Sequence, residues 1–188
     1  IITTRDSSGS QDGNIIVSSD ISSTASTDRE IRLTAANDIY VGADISSSAK
    51  KLNLKLEAEG DVIIGSSDGS NTVASTITTK GGTFTVSGSN SEGNPLIAVG
   101  DEAGSFTIKA GSSVDTTGAA GIAGGAVTIE TAAQDADGNG ATDADIDIYG
   151  SITTTGGAGS SSAGAVGGNV SLETNNTGTI TFFTGADV

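Results

Sequence analysis

Short segments in which apolar and polar residues alternate recur along this chain. One of them, residues 31–35, reads Ile-Arg-Leu-Thr-Ala, and the others begin at Leu54, Phe84, Phe106, Val127 and Val170. By subtraction of residue numbers, successive segments start 23, 30, 22, 21 and 43 positions apart, so the period is about 22 residues with one insertion and one double interval. Alternation with period two places every second side chain on one face, and therefore predicts β-strands.

A second type of segment interleaves with the first, at residues 15–21, 39–45 and 146–152, and each copy follows an Asn or Asp. Strands this short bury an apolar face only when the next copy stacks on them. The pattern therefore predicts an all-β fold: a single-stranded right-handed β-helix (β-solenoid) with roughly 22 residues per coil and about eight coils. Residues 1–188 form one solenoid segment in this prediction, with insertions near residues 65–75 and 134–145.

Composition agrees with a narrow, stacked interior. The chain has 28 Gly and one Pro, so glycine and short polar side chains are expected to form the corners. Because proline is so rare, it does not interrupt the hydrogen bonding of the strands. Six aromatic residues are few for a globular enzyme of this length, which normally packs several large rings into one core. The interior is therefore expected to consist of Ile, Val, Leu and Ala.

Charge and missing residue types narrow the possible functions. The formal net charge is −15 with eight Lys and Arg residues, which argues against nucleic acid and anionic membranes as partners. No run of 18 apolar residues is present, so no membrane insertion is expected. His and Cys are absent, which removes imidazole bases, Ser-His arrangements and Cys-based zinc sites. The chain is therefore not expected to be an enzyme.

One acidic stretch has the ligand spacing of a calcium loop. Oxygen-bearing side chains fall at loop positions 1, 3, 5 and 9 with Gly at position 6, and a backbone carbonyl would fill position 7. The predicted ligands are Asp135, Asp137, Asn139, the carbonyl of Ala141, Asp143 and Asp145. Ile146 stands at position 12, where a bidentate Glu is expected, so Asp145 or alternatively Asp147 would have to substitute for it. Strand-like flanks exclude an EF-hand but leave a Ca²⁺ loop between coils possible. The alternative is an acidic corner that stays polar because it is solvated.

Three further aspartates, Asp20, Asp44 and Asp61, lie beside strand segments at what the pattern suggests are equivalent places in successive coils. Like charges stacked at strand spacing repel, so such a column needs either a cation or hydrogen bonds to the corner backbone. We favour the hydrogen bonds, in the form of Asx-turns.

Neither end of the sequence resembles a polar cap. The first strand segment begins at Ile1 and Ile2, and the last contains Phe182 and Phe183. The chain lacks Met, and we expect a processed product or a fragment of a longer chain. Flanking coils or head-to-tail stacking would cover the ends, with Phe182 or Phe183 packed near Ile1 and Ile2 of a second copy.

Three features together resemble a known family. They are Asn/Asp-Ile-x-Val followed by Ser and Thr, the Gly-rich residues 155–159, and Gly-Gly-Asn-Val-x-Leu at residues 167–172. The chain is similar in these respects to the passenger repeats of filamentous haemagglutinin-type exoproteins, which are β-helical adhesins exported by two-partner secretion. The resemblance implies an elongated protein that is secreted or held on a bacterial cell surface.

The expected function is therefore a structural and adhesive rod segment of an extracellular adhesin or fibre. Its partners would be other copies of itself, or glycans or proteins on a cell surface. The first alternative is a self-assembling filament subunit that stacks through its uncapped ends. The second is a carbohydrate-active β-helix.

Overall fold

Parallel pairing between distant parts of the chain organises this protein. The computed structural model describes residues 1–4, 13–58, 60–87, 104–132, 144–159, 164–175 and 178–188. These residues form 17 β-strands in three sheets, and every named strand pair is parallel. Within the same residues, no helix is long and apolar enough to cross a membrane.

The strands are assigned to the three sheets as follows. Sheet 1 contains β1 (Ile2–Thr3), β4 (Arg29–Ala35), β7 (Leu52–Ala58), β10 (Phe84–Ser87), β13 (Val127–Ala132) and β16 (Val170–Asn175). Sheet 2 contains β2 (Ile15–Val17), β5 (Ile39–Val41), β8 (Val62–Ile64), β11 (Phe106–Ile108), β14 (Ile146–Ile148) and β17 (Ile180–Phe182). Sheet 3 contains β3 (Ile21–Ser23), β6 (Ile45–Ser47), β9 (Thr76–Thr78), β12 (Ser113–Asp115) and β15 (Ser151–Thr153).

The chain visits the sheets in a fixed order. It passes through sheet 1, sheet 2 and sheet 3, and then returns to sheet 1 one layer further along. Each pass is one turn, and each strand pairs with its equivalents in the adjacent turns. In the sixth turn, sheet 3 is continued by a single bridge between Ser151 and Asp187. This arrangement confirms the predicted all-β solenoid of stacked parallel strands.

Rows of apolar side chains, one from each turn, fill the interior. Because the pairing is in register, residues at the same position in successive turns lie directly over one another. One row of sheet 1 contains Leu33, Leu56, Val86 and Ile129, and one row of sheet 2 contains Ile39, Val62, Phe106 and Ile146. All eight are at most 3 % exposed. Burying each such side chain contributes roughly 1.5–3 kcal/mol to folding, which is how these short strands are held together.

The sequence predicted two strands per coil, whereas the described turns contain up to three. Residues 15–21 look like one segment in the sequence, but they contain β2 and the start of β3 with a corner between them. The placement of Phe106 in the same column as Phe84 is wrong: Phe106 pairs with Val62 in sheet 2, and Phe84 pairs with Val127 in sheet 1. Alternation shows which side chains share a face but not which sheet carries the strand.

The spacing between turns also departs from a constant period of about 22 residues. Leu33 and Leu56 are paired across 23 residues, whereas Val86 and Ile129 are paired across 43. The pairing stays in register, so the extra residues lie between the strands. Among the described residues, the corner from sheet 3 to sheet 1 lengthens from residues 48–51 to residues 116–126. The described residues form six turns, so they do not confirm the predicted count of about eight.

Candidate functional site

A column of polar side chains lies where each turn enters sheet 2. Its members occupy the position just before the sheet 2 strand in all six described turns: Asn14, Asp38, Asp61, Ser105, Asp145 and Thr179. In each of the first five turns, the side-chain oxygen accepts a hydrogen bond from the backbone N–H of the equivalent residue in the next turn. The five bonds measure 3.2, 2.8, 2.9, 3.1 and 2.7 Å, from the first turn to the fifth. We call this column the corner ladder.

The corner ladder locks the register between turns. A net contribution of about 1 kcal/mol is typical of such a hydrogen bond, and each one also satisfies a backbone donor at a corner. Asp61 shows the cost of stacking carboxylates. Its burial raises the pKa of the Asp61 carboxyl, the N–H of Ser105 lowers it, and the charge of Asp38 raises it again, for a net increase.

The three aspartates singled out in the sequence belong to two columns. Asp20 accepts a hydrogen bond from the N–H of Asp44 at 3.0 Å, and Asp44 accepts one from the N–H of Thr76 at 2.7 Å, where the chain enters sheet 3. Asp61 belongs to the corner ladder instead, so the predicted equivalence of the three is wrong. Hydrogen bonding to backbone is confirmed, but the predicted Asx-turn form is wrong, because the donors lie in the following turn.

Of the predicted calcium ligands, Asp145 is the one that can be placed. Asp135, Asp137, Asn139, Ala141 and Asp143 lie outside the described residues.

One carboxylate oxygen of Asp145 accepts hydrogen bonds from the backbone N–H of Thr179 at 2.7 Å and from its hydroxyl at 2.9 Å. Asp147 lies on β14, directly after Asp145 in the chain. Burial and then the charge of Asp145 raise the pKa of Asp147, and the charge of Lys109 offsets part of this increase. In the part of the chain that is described, no three metal-ligating side chains cluster. Calcium binding therefore stays a prediction.

The predicted assembly residues lie at opposite ends of the stack. Ile1 and Ile2 are 88 % and 54 % exposed in the first turn, and Phe182 is 51 % exposed in the sixth. Ile2 and Phe182 belong to rows that point inward in every other described turn, so each end face presents interior-type side chains. Phe183 differs, because its ring stacks on Tyr149 of the preceding turn with the centroids 3.7 Å apart.

Residues 65–75 form the corner between β8 and β9 and lie against the outer face of sheet 2. A β-carbon added at Gly69 would lie 3.2 Å from the ring of Tyr40, so the corner packs on that ring. The Tyr40 hydroxyl donates a hydrogen bond to Asp38 at 2.5 Å. Burial, this hydrogen bond and the charges of Asp38, Asp61 and Asp68 raise the pKa of Tyr40 to about 12. Tyr40 therefore stays neutral at physiological pH and can donate its hydrogen bond to Asp38.

A buried carboxylate organises the outer face of sheet 1. The side chain of Glu57 is 3 % exposed and lies 2.6 Å from Arg32 Nε and 2.6 Å from Lys55 Nζ. The hydroxyl of Thr34 donates to the same carboxylate at 2.9 Å. Burial acts to raise the pKa of Glu57, but the hydrogen bonds from Arg32, Lys55 and Thr34 outweigh it and leave the pKa below its usual value. The carboxylate therefore joins three adjacent positions across two turns.

We expect Glu57→Gln to lower the free energy of unfolding by about 1 to 2 kcal/mol at pH 7, since Arg32 and Lys55 are about one-third exposed and solvent weakens their pairing. A carboxyl with a depressed pKa contributes stability above its unfolded pKa of about 4.3, and this contribution is lost as the pH falls through the folded pKa. The difference between wild type and variant should therefore shrink below about pH 4. Urea unfolding from pH 7 to pH 3 measures it.

Glu30→Gln is the matched control, because Glu30 is exposed on the neighbouring strand of the same sheet. It should leave stability within about 0.5 kcal/mol of wild type at every pH. A loss for Glu57→Gln that is equal at pH 3 and pH 7 would show that the carboxylate charge is not what stabilises this cluster.

Comparisons with known proteins give no relative. No protein-family model matches the chain, and neither a curated protein nor a solved structure matches it. The functional argument therefore depends on the geometry of this chain.

Sequence reasoning missed most of the corner ladder. Asn14 and Asp38 were noted as the residues before two strand segments, but no role was assigned to them, and Ser105, Thr179 and Glu57 gave no signal. The usable signal is that each sheet 2 strand follows a residue whose side chain can accept a hydrogen bond. Because Asn, Asp, Ser and Thr alternate in this role, the column becomes visible only when the strands are aligned by register.

Proposed function

We propose that this chain is a structural segment of an elongated β-solenoid rod in a bacterial extracellular or cell-surface adhesin or fibre. One observation carries the proposal: three parallel sheets run in register along a common axis, and the corner ladder ties every described turn to the next. In such a stack, backbone hydrogen bonds point along the axis, so tension along the rod loads many of them together.

The solenoid in this proposal is right-handed. Each return from one strand to the next parallel strand of the same sheet is a crossover, and crossovers of this kind are right-handed in about 98 % of cases. At roughly 4.8 Å per layer, six turns span about 25 Å along the axis. A rod therefore needs more layers than these six, supplied by further turns or by other copies.

The net charge of −15 keeps such rods dispersed by mutual repulsion, and it suits cationic or neutral partners better than nucleic acid. The resemblance to haemagglutinin-type passenger repeats supports a location outside the cell or on its surface. In this proposal, adhesion to glycans or proteins occurs through corners on the lateral surface of the stack, such as residues 65–75.

The end faces favour a second candidate, a subunit that stacks head to tail into filaments. Ile2 at one end and Phe182 at the other are more than half exposed, although both belong to inward-pointing rows. Exposed strand edges with apolar interiors pair readily with similar strands. Placing the first turn of one copy on the sixth turn of another would continue the row of sheet 1 that contains Ile2 and Leu172, and the three rows of sheet 2.

Electron microscopy and sedimentation at rising protein concentration test both versions. We expect particles of uniform width that lengthen by end-to-end association, because burying the apolar end faces is favourable. Short particles of a few copies would favour a rod segment, and long open-ended filaments would favour a filament subunit. Repeating the series with millimolar Ca²⁺ and with a chelator tests the predicted calcium loop.

Phe182→Lys should abolish the lengthening, since a charge at the centre of a stacked face would be buried unpaired. Val73→Lys is the control, because Val73 is 39 % exposed on the lateral corner 65–75, away from both end faces. Compact particles that never lengthen, and a Phe182→Lys variant that behaves as wild type does, would contradict end-to-end stacking.

A further inference from the structure

A cleft opens where the chain returns from sheet 3 to sheet 1. In the second and third turns this corner is short, at residues 48–51 and 79–83, but in the fourth turn it is longer, at residues 116–126. The longer corner overhangs the shorter ones. A β-carbon added at Gly81 would lie 2.7 Å from the carbonyl oxygen of Ala123, so the overhang packs directly on the corner below it. The step in corner length creates a ledge with a recess beneath it.

The recess has a volume of about 310 Å³ and an unusual charge for this molecule. Its walls include Lys50, Lys51 and Lys80, with Ala119 and Ile122 from the overhang and Asp28 at one side. Three of the eight basic residues of a chain with net charge −15 therefore line one cleft. None of the three lysines makes an ion pair with a residue that the structure describes. By contrast, Arg32 and Lys55 share the carboxylate of Glu57.

Lys80 has a strained backbone. Its φ is +55°, and among the described residues it is the one non-glycine with a positive φ. It lies in a tight turn closed by a 3.1 Å hydrogen bond from the N–H of Gly82 to the carbonyl of Thr79. Gly81 follows with φ +84°, so two successive residues have left-handed backbones, a pattern that favours Asn-Gly or Gly-Gly. A lysine at a position whose backbone disfavours it points to a role for its side chain.

We propose that this cleft binds a phosphate or sulfate ester carried by a compact, sugar-sized ligand. Three ammonium groups that have no ion-pair partner among the described residues can balance the oxyanion, which carries up to two negative charges in a phosphate monoester and one in a sulfate monoester. Lysine is a common binder of phosphate as a point charge. The recess holds far more than one small anion, since a water molecule occupies about 30 Å³. Ala119 and Ile122 supply an apolar wall for the ring of the ligand. Asp28 also lines the cleft, where one carboxylate oxygen accepts a hydrogen bond from the backbone N–H of Lys51 at 3.2 Å and the other would accept one from a ligand hydroxyl.

Titration calorimetry with the whole chain tests the proposal, using inorganic phosphate, inorganic sulfate, glucose 6-phosphate and glucose 6-sulfate as probes at low salt. The two esters should bind saturably and at least about tenfold more tightly than the inorganic ions, because the apolar wall contributes only when a ring is attached. The ratio between the two esters identifies which oxyanion the cleft prefers. Binding should weaken as ionic strength rises.

Lys80→Asn separates a binding role from a structural one. Asn adopts positive φ more readily than Lys, so the variant should melt about 2 to 4 °C higher than wild type. The same variant should bind the esters about tenfold more weakly, since one charge-assisted hydrogen bond is lost. Lys50→Gln with Lys51→Gln should weaken binding further. Lys109→Gln, which removes a lysine at a different corner, is the control and should leave ester affinity unchanged.

Two results would overturn the proposal. One is the absence of saturable ester binding at millimolar concentrations in wild type. The other is an equal loss of affinity in Lys80→Asn and Lys109→Gln, which would show that the esters respond to overall charge and not to the cleft. Three results together would support it: wild type binds the esters, Lys80→Asn melts at a higher temperature than wild type, and Lys80→Asn binds the esters more weakly.

Discussion

Replacing Gly125 with alanine is expected to lower the free energy of unfolding by about 3 to 4 kcal/mol, an effect at the upper end for a single methyl group. A β-carbon at this position would lie 1.9 Å from the carbonyl oxygen of Gly82 and 2.5 Å from its carbonyl carbon. Real β-carbons essentially never approach other atoms so closely. Both atoms that it would meet are backbone, so no side-chain rotation can relieve the clash.

The clash recurs along a column of glycines where the fourth, fifth and sixth turns enter sheet 1. A β-carbon at Gly168 would lie 2.0 Å from the carbonyl oxygen of Gly125, and one at Gly82 would lie 2.2 Å from that of Leu52. Gly82, Gly125 and Gly168 thus stack with their α-carbons facing the carbonyl of the turn below. The backbone N–H of Gly125 also donates to Thr116 at 2.8 Å, which fixes it in place. Any shift that accommodates a methyl group must therefore break pairing between turns.

Urea unfolding of Gly125→Ala beside Gly164→Ala measures the effect. A β-carbon at Gly164 would lie 3.7 Å from its nearest neighbour, which is an ordinary van der Waals distance. Gly164→Ala should therefore stay within about 0.5 kcal/mol of wild type. Equal stabilities for the two variants would mean that the turns do not approach each other as closely at Gly125 as the structure places them.

The strands were more predictable from sequence than their arrangement. Alternation in residues 31–35 and 54–58 identifies strands because burial on one face imposes period two. It could not separate β2 from β3 within residues 15–21. The corner between them consists of a few polar residues, which look the same in the sequence as the polar positions of an alternating strand. It also placed Phe106 in the wrong column, since corners that vary in length hide the period.

The candidate sites were less predictable, for the same reason. A hydrogen-bonding role for Asp44 follows from its place beside a strand, yet its donor, the N–H of Thr76, lies 32 residues away and depends on the register. The lysine cleft has no sequence signature, because Lys51 and Lys80 meet only through the stacking of two corners beneath a longer third. Which side chains of one strand share a face can be derived from its own sequence. Which residues of adjacent turns lie against each other depends on the length of every corner between them.

Phe84→Ala should have the second large effect, a loss of about 3 to 5 kcal/mol, because the ring is fully buried and its removal leaves a cavity. Phe84 lies in the fourth turn between Leu54 and Val127 of its row. Its ring centroid is 6.2 Å from that of Phe106 across the interior, with the ring planes tilted by 57°. The pair joins sheet 1 to sheet 2, so the cavity would weaken contact between the sheets as well as between turns.

Position along the stack should decide how the damage spreads. Each turn contacts only its neighbours, so a cavity in the fourth turn divides the solenoid into two shorter stacks. Hydrogen exchange should show protection lost first in β7, β10 and β13, and retained longer in β4 and β5. Phe182→Ala is the matched control in dilute protein, because Phe182 is half exposed in the sixth turn and should lose less than about 1 kcal/mol.

A double-mutant cycle on Phe84 and Phe106 completes this test. If the two rings contact each other as placed, the combined variant should be less destabilised than the sum of the single variants by about 0.5 to 1.5 kcal/mol. Strict additivity would show that the rings stabilise their own rows independently. Phe84 and Phe182 are the same residue type and differ in burial. If Phe84→Ala lowered the free energy of unfolding no more than Phe182→Ala does, burial in the central turns would not be what stabilises the stack.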